Sequence, residues 1–261
     1  MDIPHKLLAG LRIADITKNE LFEYCDTVLT DNGSAILFGY SLTVLPKFRD
    51  YAELNFLVED YEVMVADGRG IYVIAQLCGL KLREHISIPD IVELLLSHGS
   101  KTSKKIFLFG ATKEINSIAI NNCRKRFNNP NIYGRDGYFS EQEMETIIDG
   151  LVDLKLDYIL IGISTPQKEI IAKKLRSKLK KVIIVPCGGM IDVLSGNIKR
   201  ERPIIKFLGL TWLFRWTQEP KRLLRPVLIN GLYVLFFIVP LLLIIYFCFG
   251  NKKSIFQFLK N

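Results

Sequence analysis

Asp67 is the residue on which chemistry can turn. It follows the apolar stretch Glu62–Ala66 and precedes Gly68, so it should stand at the end of a buried strand and face a crevice. A carboxylate in that place can take a proton from a hydroxyl or hold a sugar hydroxyl. It can equally cap the helix that the pattern Arg69–Leu77 predicts. Asp192 follows Gly188-Gly189 and suits ribose or sugar hydroxyls, or again a helix cap. Thr165-Pro166-Gln167-Lys168-Glu169 lies at another strand end. Gln167 there reads either a base or sugar group or nothing but solvent. Arg215, Arg222 and Arg225 can grip phosphate oxygens with their guanidinium forks, or hold anionic lipid headgroups.

These groups need a scaffold, and the chain predicts one. Strands are expected at Leu11–Ile13, Ser34–Phe38, Glu62–Ala66, Lys105–Phe109, Asn131–Gly134, Asp157–Ile161 and Val182–Val185. Helical patterns alternate with them: Thr17–Leu29, Pro46–Val58, Arg69–Leu77, Asp90–Ser97, Lys113–Phe127, Glu141–Leu154 and a helix from Pro166 to about Leu179. Such alternation predicts an α/β fold, a Rossmann-like parallel sheet covered by helices on both faces. Gly68, Gly110, Gly162 and Gly188 all fall at the carboxyl edge, where open α/β sheets bind ligands. Glycine there admits phosphate to the backbone N–H groups; it also simply permits tight turns.

Other chemistries lack their residues. His5, His85 and His98 have no ligand spacing, so no metal is expected. There is no Walker loop, no GxGxxG, no serine elbow and no Cys–His arrangement, and no cofactor is expected. The five cysteines are scattered, with no CxxC, as suits a reducing compartment. The opening MDIPHKLLAG carries no long apolar core, so the folded part is expected in the cytosol. The formal net charge is +8. Much of the excess lies between Lys199 and Arg225, beside the uncharged run Val227–Gly250, which favours anionic lipid or a phosphorylated ligand over nucleic acid. As a helix that run would be about 36 Å long, against about 30 Å of hydrocarbon core. Pro240 leaves a re-entrant hairpin as the alternative to a span, and a soluble-core helix as a third reading. The division expected is 1–200 for the α/β domain, 201–226 for a basic, aromatic helical appendage, 227–250 for the membrane segment and 251–261 for a short tail.

Taken together and in order, several pieces of residues 10–225 are specific. They are Val65-Ala66-Asp67-Gly68-Arg69-Gly70, the Phe107–Gly110 turn, Asp136-Gly137-Tyr138-Phe139, Gly162 through Glu169, Gly188 through Asp192, Arg200-Glu201-Arg202-Pro203, Leu210 through Arg215, and Glu219-Pro220-Lys221-Arg222. In these the chain resembles the WecG/TagA/CpsF family of bacterial glycosyltransferases. The resemblance implies metal-independent, inverting transfer of a sugar from a UDP-sugar to a polyprenyl-diphosphate-linked acceptor in cell-surface polysaccharide assembly. It implies that Asp67 is the base, that Gln167 binds substrate, and that Arg215, Arg222 and Arg225 engage the diphosphate. With the strand-end residues, the expected substrate-binding set is Gly110, Asp136, Thr165, Gln167, Gly188, Gly189, Asp192 and those three arginines. The implied partners are the UDP-sugar, the lipid-linked acceptor and membrane lipids, at the cytoplasmic face of a bacterial membrane; self-association is left open.

The family's Thr-x-Asn is absent, with Leu37-Phe38-Gly39-Tyr40-Ser41 in its place. His85-Ile86-Ser87-Ile88-Pro89-Asp90 keeps only the Asp of another motif. A catalytically silent, membrane-anchored sugar-nucleotide-binding protein is therefore the alternative reading. A dinucleotide-dependent oxidoreductase is disfavoured by the missing GxGxxG.

Overall fold

A computed structural model of the chain describes residues 3–42, 44–45, 47, 63–200, 202, 204–205, 211–218, 220, 234–249 and 255. In order, its elements begin with β1 (His5–Leu8), β2 (Leu11–Ala14), α1 (Lys18–Thr30), β3 (Ser34–Tyr40), β4 (Val63–Ala66), α2 (Arg69–Leu77), α3 (Ile88–Thr102) and β5 (Ile106–Gly110). Then come α4 (Lys113–Phe127), β6 (Ile132–Arg135), α5 (Glu141–Val152), β7 (Tyr158–Gly162), α6 (Gln167–Lys178), β8 (Val182–Pro186) and α7 (Met190–Ser195). The chain continues through α8 (Thr211–Gln218), a π-helical turn (Val234–Ile238) and α9 (Val239–Phe249).

The six strands β3–β8 form one sheet in the order β4-β3-β8-β7-β5-β6, every pairing parallel. Side chains of a strand alternate between faces, and here the alternation divides the core in two. Ile36, Phe38, Phe107, Phe109, Ile159, Ile161 and Ile184 pack with α2, α5 and α6. Ala35, Leu37, Ile106, Leu108, Leu160, Ile183 and Val185 pack with α1, α3, α4 and α7. A parallel sheet covered on both faces is the expected architecture.

The helices start where their caps dictate. Thr17 with Glu20 and Ser140 with Glu143 form reciprocal capping boxes on α1 and α5. Ser87 and Asp90 do the same for α3, which Ser103, in the left-handed region at φ 53°, ends. These caps make α3 longer than the expected Asp90–Ser97. The N-terminal entry also differs from expectation. Leu11–Ile13 was expected as one strand, yet β1 and β2 form an antiparallel hairpin with Leu8 opposite Leu11. Ala9 and Gly10, both at positive φ, make the two-residue turn that suits strand twist. The helix expected at Pro46–Val58 lies, Lys47 aside, outside the described residues.

Within the apolar run, α9 spans 11 residues, about 16 Å. Among the described residues no helix is long and apolar enough to cross a membrane. One side of this segment joins the core: Ile238, Leu242 and Ile245 are buried in the cluster that holds Leu8 and Leu11. Farther on, the Ile255 N–H donates to the Ala9 carbonyl at 2.8 Å.

At the amino edge of the sheet, His98 of α3 links three elements. Its Nδ1 hydrogen-bonds the Tyr158 hydroxyl of β7 at 2.5 Å, and its Nε2 lies 3.4 Å from Asp26 of α1. Burial pushes His98 below its ordinary 6.5; Asp26 and Asp157 oppose that shift, and Lys104 and Lys101 reinforce it. The unfolded chain therefore takes up this proton first on acidification. The stability that neutral His98 contributes is full above about pH 6.5 and is lost as pH falls toward its lowered folded value. Denaturant midpoints measured from pH 7.5 to 5 should fall, and His98→Gln should flatten that part of the profile.

Candidate functional site

The helices that follow β5 and β7 leave on opposite faces: α4 packs in one core cluster and α6 in the other. Divergence of this kind opens a crevice at the carboxyl edge. Its floor is set by glycine contacts. Gly110 and Gly162 are paired across β5 and β7, and a Cβ on Gly110 would sit 2.3 Å from the Gly162 carbonyl oxygen. A Cβ on Gly137 would lie 3.0 Å from the Gly110 Cα. Asn116 of α4, buried, latches the edge: its Nδ2 donates to the carbonyls of Gly110 and Arg135, each at 2.8 Å. So Gly110 serves close backbone approach. At Gly188 and Gly189, by contrast, an added Cβ would meet nothing within 4 Å. The Gly188 N–H turns back to the Ile161 carbonyl at 3.2 Å.

Asp67 lies just past β4, half-buried. It is not the cap of α2: that position belongs to Gly68, with no side-chain hydrogen bond. Instead Asp67 Oδ1 accepts the N–H of Ile88, the first residue of α3, at 3.0 Å. The carboxylate reaches α3 past the end of β3. A Cβ on Gly39 would collide with the Asp67 Cβ at 2.4 Å, so the bare backbone of Gly39 makes room for it. The side chain is thereby tied to a helix N-terminus, where negative charge is favoured.

The other acids divide by occupation. Asp90 accepts from Ser87 Oγ at 2.7 Å and pairs with Arg200 at 3.3 Å. Asp136 Oδ1 accepts the Tyr138 N–H at 3.0 Å, which leaves the Tyr138 ring exposed beside the crevice. Asp192 stands in the first turn of α7, whose cap is Gly189. Among the described residues its carboxylate has no hydrogen bond or ion pair.

On α6 the two residues after Pro166 part company. Gln167 is exposed, while Lys168 and Glu169 are buried. Helical spacing explains this: Lys168 heads the stripe of Ile171, Ala172 and Leu175 that packs into the core. The i, i+3, i+4, i+7 pattern that buries Lys168 is legible in the sequence, and it leaves Gln167, the expected substrate-binding residue, on the exposed side. Lys168 Nζ donates to Thr165 Oγ1 at 2.8 Å and to Glu169 Oε1, and Thr165 Oγ1 donates to Glu169 Oε1 at 3.0 Å. Burial lowers the Lys168 pKa, with Glu169 opposing the shift. Burial likewise pushes the Cys187 thiol up to about 12, which suits a packing role rather than a nucleophile.

Arg215 belongs to α8, but its side chain lies outside the described residues, as do Arg222 and Arg225 altogether. α8 itself is pinned to the domain, since Gln218 accepts the Lys199 N–H at 2.7 Å and returns a bond to the Lys199 carbonyl at 3.1 Å. Among the described residues no group of His, Cys, Asp and Glu is arranged to hold a metal.

Because β5 and β7 touch at Gly110, Gly110→Ala should force them apart. Overpacking of this kind costs about 1–3 kcal/mol, readable as a lower denaturant midpoint. Gly189→Ala, with open space around it, should leave the midpoint near wild type.

Comparison with known proteins matches residues 6–243 to a family described as glycosyl transferase WecG/TagA/CpsF. Similar proteins include an N-acetylglucosaminyldiphosphoundecaprenol N-acetyl-beta-D-mannosaminyltransferase of Bacillus spizizenii, 27% identical over 162 residues, with 62% of each chain covered. A protein of the same name in Bacillus subtilis is 27% identical over 177 residues, 67% of each chain. Another in Staphylococcus aureus is 24% identical over 222 residues, 84% of this chain and 86% of that one.

Proposed function

The chain belongs to the WecG/TagA/CpsF family of glycosyltransferases, and on that premise we propose that it transfers a sugar from a UDP-sugar to a polyprenyl-diphosphate-linked acceptor, with inversion, in cell-surface polymer synthesis. The names of its relatives specify an N-acetylglucosaminyl-diphospho-undecaprenol acceptor and an N-acetylmannosaminyl group. For this chain the reading takes the class: an acceptor sugar on a polyprenyl diphosphate, and a hexosyl or N-acetylhexosaminyl donor.

The observation that carries the mechanism is the position of Asp67. Its carboxylate stands at the carboxyl edge, held by the Ile88 N–H. In the reaction Asp67 takes the proton of the acceptor hydroxyl as that oxygen attacks the anomeric carbon. The new C–O bond forms on the face opposite the departing UDP, and the C–O bond to the β-phosphate breaks. Cations at the crevice stabilise the charge that develops on the leaving diphosphate, the part assigned to Arg215, Arg222 and Arg225. Asp192 and the open turn at Gly188-Gly189 receive the nucleoside end, and Gly110, Asp136 and Thr165 shape the wall between.

The acceptor's polyprenyl chain requires a bilayer nearby, and the proposal places the enzyme at the cytoplasmic face of the membrane. α9 supports attachment in the plane of the interface. Its inner side is in the core, while Ile244 and Phe247 of α9 and Phe236 of the π-helical turn before it are 52%, 68% and 64% exposed. Lys221, Arg222 and Arg225 precede the run and Lys252 and Lys253 follow it, as suits anionic headgroups.

Two experiments test these points. Asp67→Asn still accepts from the Ile88 N–H, so folding and UDP affinity should hold while turnover falls about 10²–10⁴-fold. A loss below about tenfold would remove Asp67 from the role of base. Serine at Phe236, Ile244 and Phe247 together should release the protein from anionic vesicles in flotation while leaving its melting temperature near wild type. Undiminished flotation would defeat attachment through this face.

A further inference from the structure

The buried pair at the head of α6 is the part of the crevice that the reaction above leaves unused. Lys168 is 8% exposed and Glu169 0%. An ion pair this deep seldom improves stability over an apolar equivalent, because both charges leave water. Its site is the carboxyl edge: Thr165 follows β7, and the Lys168 ammonium lies 5.1 Å from the centre of the Phe38 ring on β3. Two further observations mark this place as one that takes a ligand. Glu169 Oε2 is buried and accepts no hydrogen bond among the described residues, whereas such oxygens are ordinarily satisfied by the chain, by water or by a bound molecule. Lys47, which follows β3, acts electrostatically on Lys168 and lowers its pKa further. Among the described residues Lys47 has no ion pair of its own. Among the described residues around the Lys168 ammonium, two lysines thus act on one carboxylate.

We infer that Lys168, held in place by Thr165 and Glu169, binds the diphosphate of the sugar nucleotide, with Lys47 as a second cation on the same group. This inference rests on the glycosyltransferase reading and deepens it. An incoming diphosphate restores to the buried ammonium the counter-charge that burial and Lys47 deny it. Glu169 acts through Lys168 as a positioning residue: it fixes the ammonium by one oxygen and keeps the other for a donor hydroxyl. The donor's charge is thus met from the α/β domain itself, whatever the appendage adds.

The test compares UDP with uridine by calorimetric titration of the full chain. Wild type should prefer UDP. Lys168→Gln combined with Glu169→Gln leaves no uncompensated buried charge and keeps side chains that can still bond Thr165. In that double variant UDP affinity should fall at least about tenfold, the weight of one charge-assisted contact, with uridine affinity unchanged. Lys168→Arg in the single variant should keep the preference. Lys47→Ala, at a half-buried position after β3, should reduce the preference several-fold and supplies the measurement if the double variant does not fold. An unchanged ratio of UDP to uridine affinity in either folded variant would overturn the inference. So would an equal loss for both ligands, which marks a structural role. A wild-type chain without preference for UDP would count instead against the glycosyltransferase reading itself.

Discussion

The contact between Gly110 and Gly162 governs the working edge of the molecule. Two strands whose following helices leave on opposite faces tend to splay, and side chains at their ends would widen the gap. With hydrogen in place of Cβ, the two backbones meet, and Asn116 ties the β5 end to β6 from below. Gly137 packs onto that contact, Asp136 turns just before it, and Ile163 through Thr165 lead from it into α6.

A second constraint acts at β3. The end of this strand is flanked by two different charges. Asp67 lies against Gly39 and Lys168 over Phe38, neighbours on opposite faces of one strand. The carboxylate proposed as base and the ammonium inferred to hold the diphosphate thus share a single reference strand but are kept apart by its thickness. A carboxylate meant to accept a proton is best not neutralised by a nearby ammonium, since an opposite charge within a few ångströms depresses its affinity for that proton. Pairing Lys168 with Glu169 serves the same separation.

Much of this was legible in the sequence, for identifiable reasons. Buried parallel strands read as apolar runs ending in glycine or a small residue, and β3, β5, β7 and β8 were found where those runs lie. Asp67 was found because it breaks such a run. Its partner was not, because the bond to Ile88 joins residues whose proximity only the strand order β4-β3-β8 and the return of α3 create. Gln167 stands out as a polar residue in a first helical turn, while the stripe through Ile171, Ala172 and Leu175 is what buries its neighbour Lys168. The β1–β2 hairpin escaped because His5–Leu8 is short and its turn, Ala9-Gly10, lacks the Asn or Asp that usually marks one. Composition described Val227–Gly250 as uniformly apolar. It carries no information about which side of such a helix faces protein, and α9 has one side in the core.

That last feature bears on how the protein can be handled. The inner face of α9 and the first hairpin belong to one buried cluster, and the Ile255 amide is bonded to the turn of that hairpin. Beginning and end of the chain are therefore stitched together through apolar surface. A detergent that solvates the outer face of α9 has the same chemical affinity for the inner one. Under the membrane attachment proposed above, extraction becomes a competition between micelle and core for one helix. Mild, large-headed detergents or lipid nanodiscs, which cover an outer face without prising up an inner one, are the media in which this fold and its crevice should survive together.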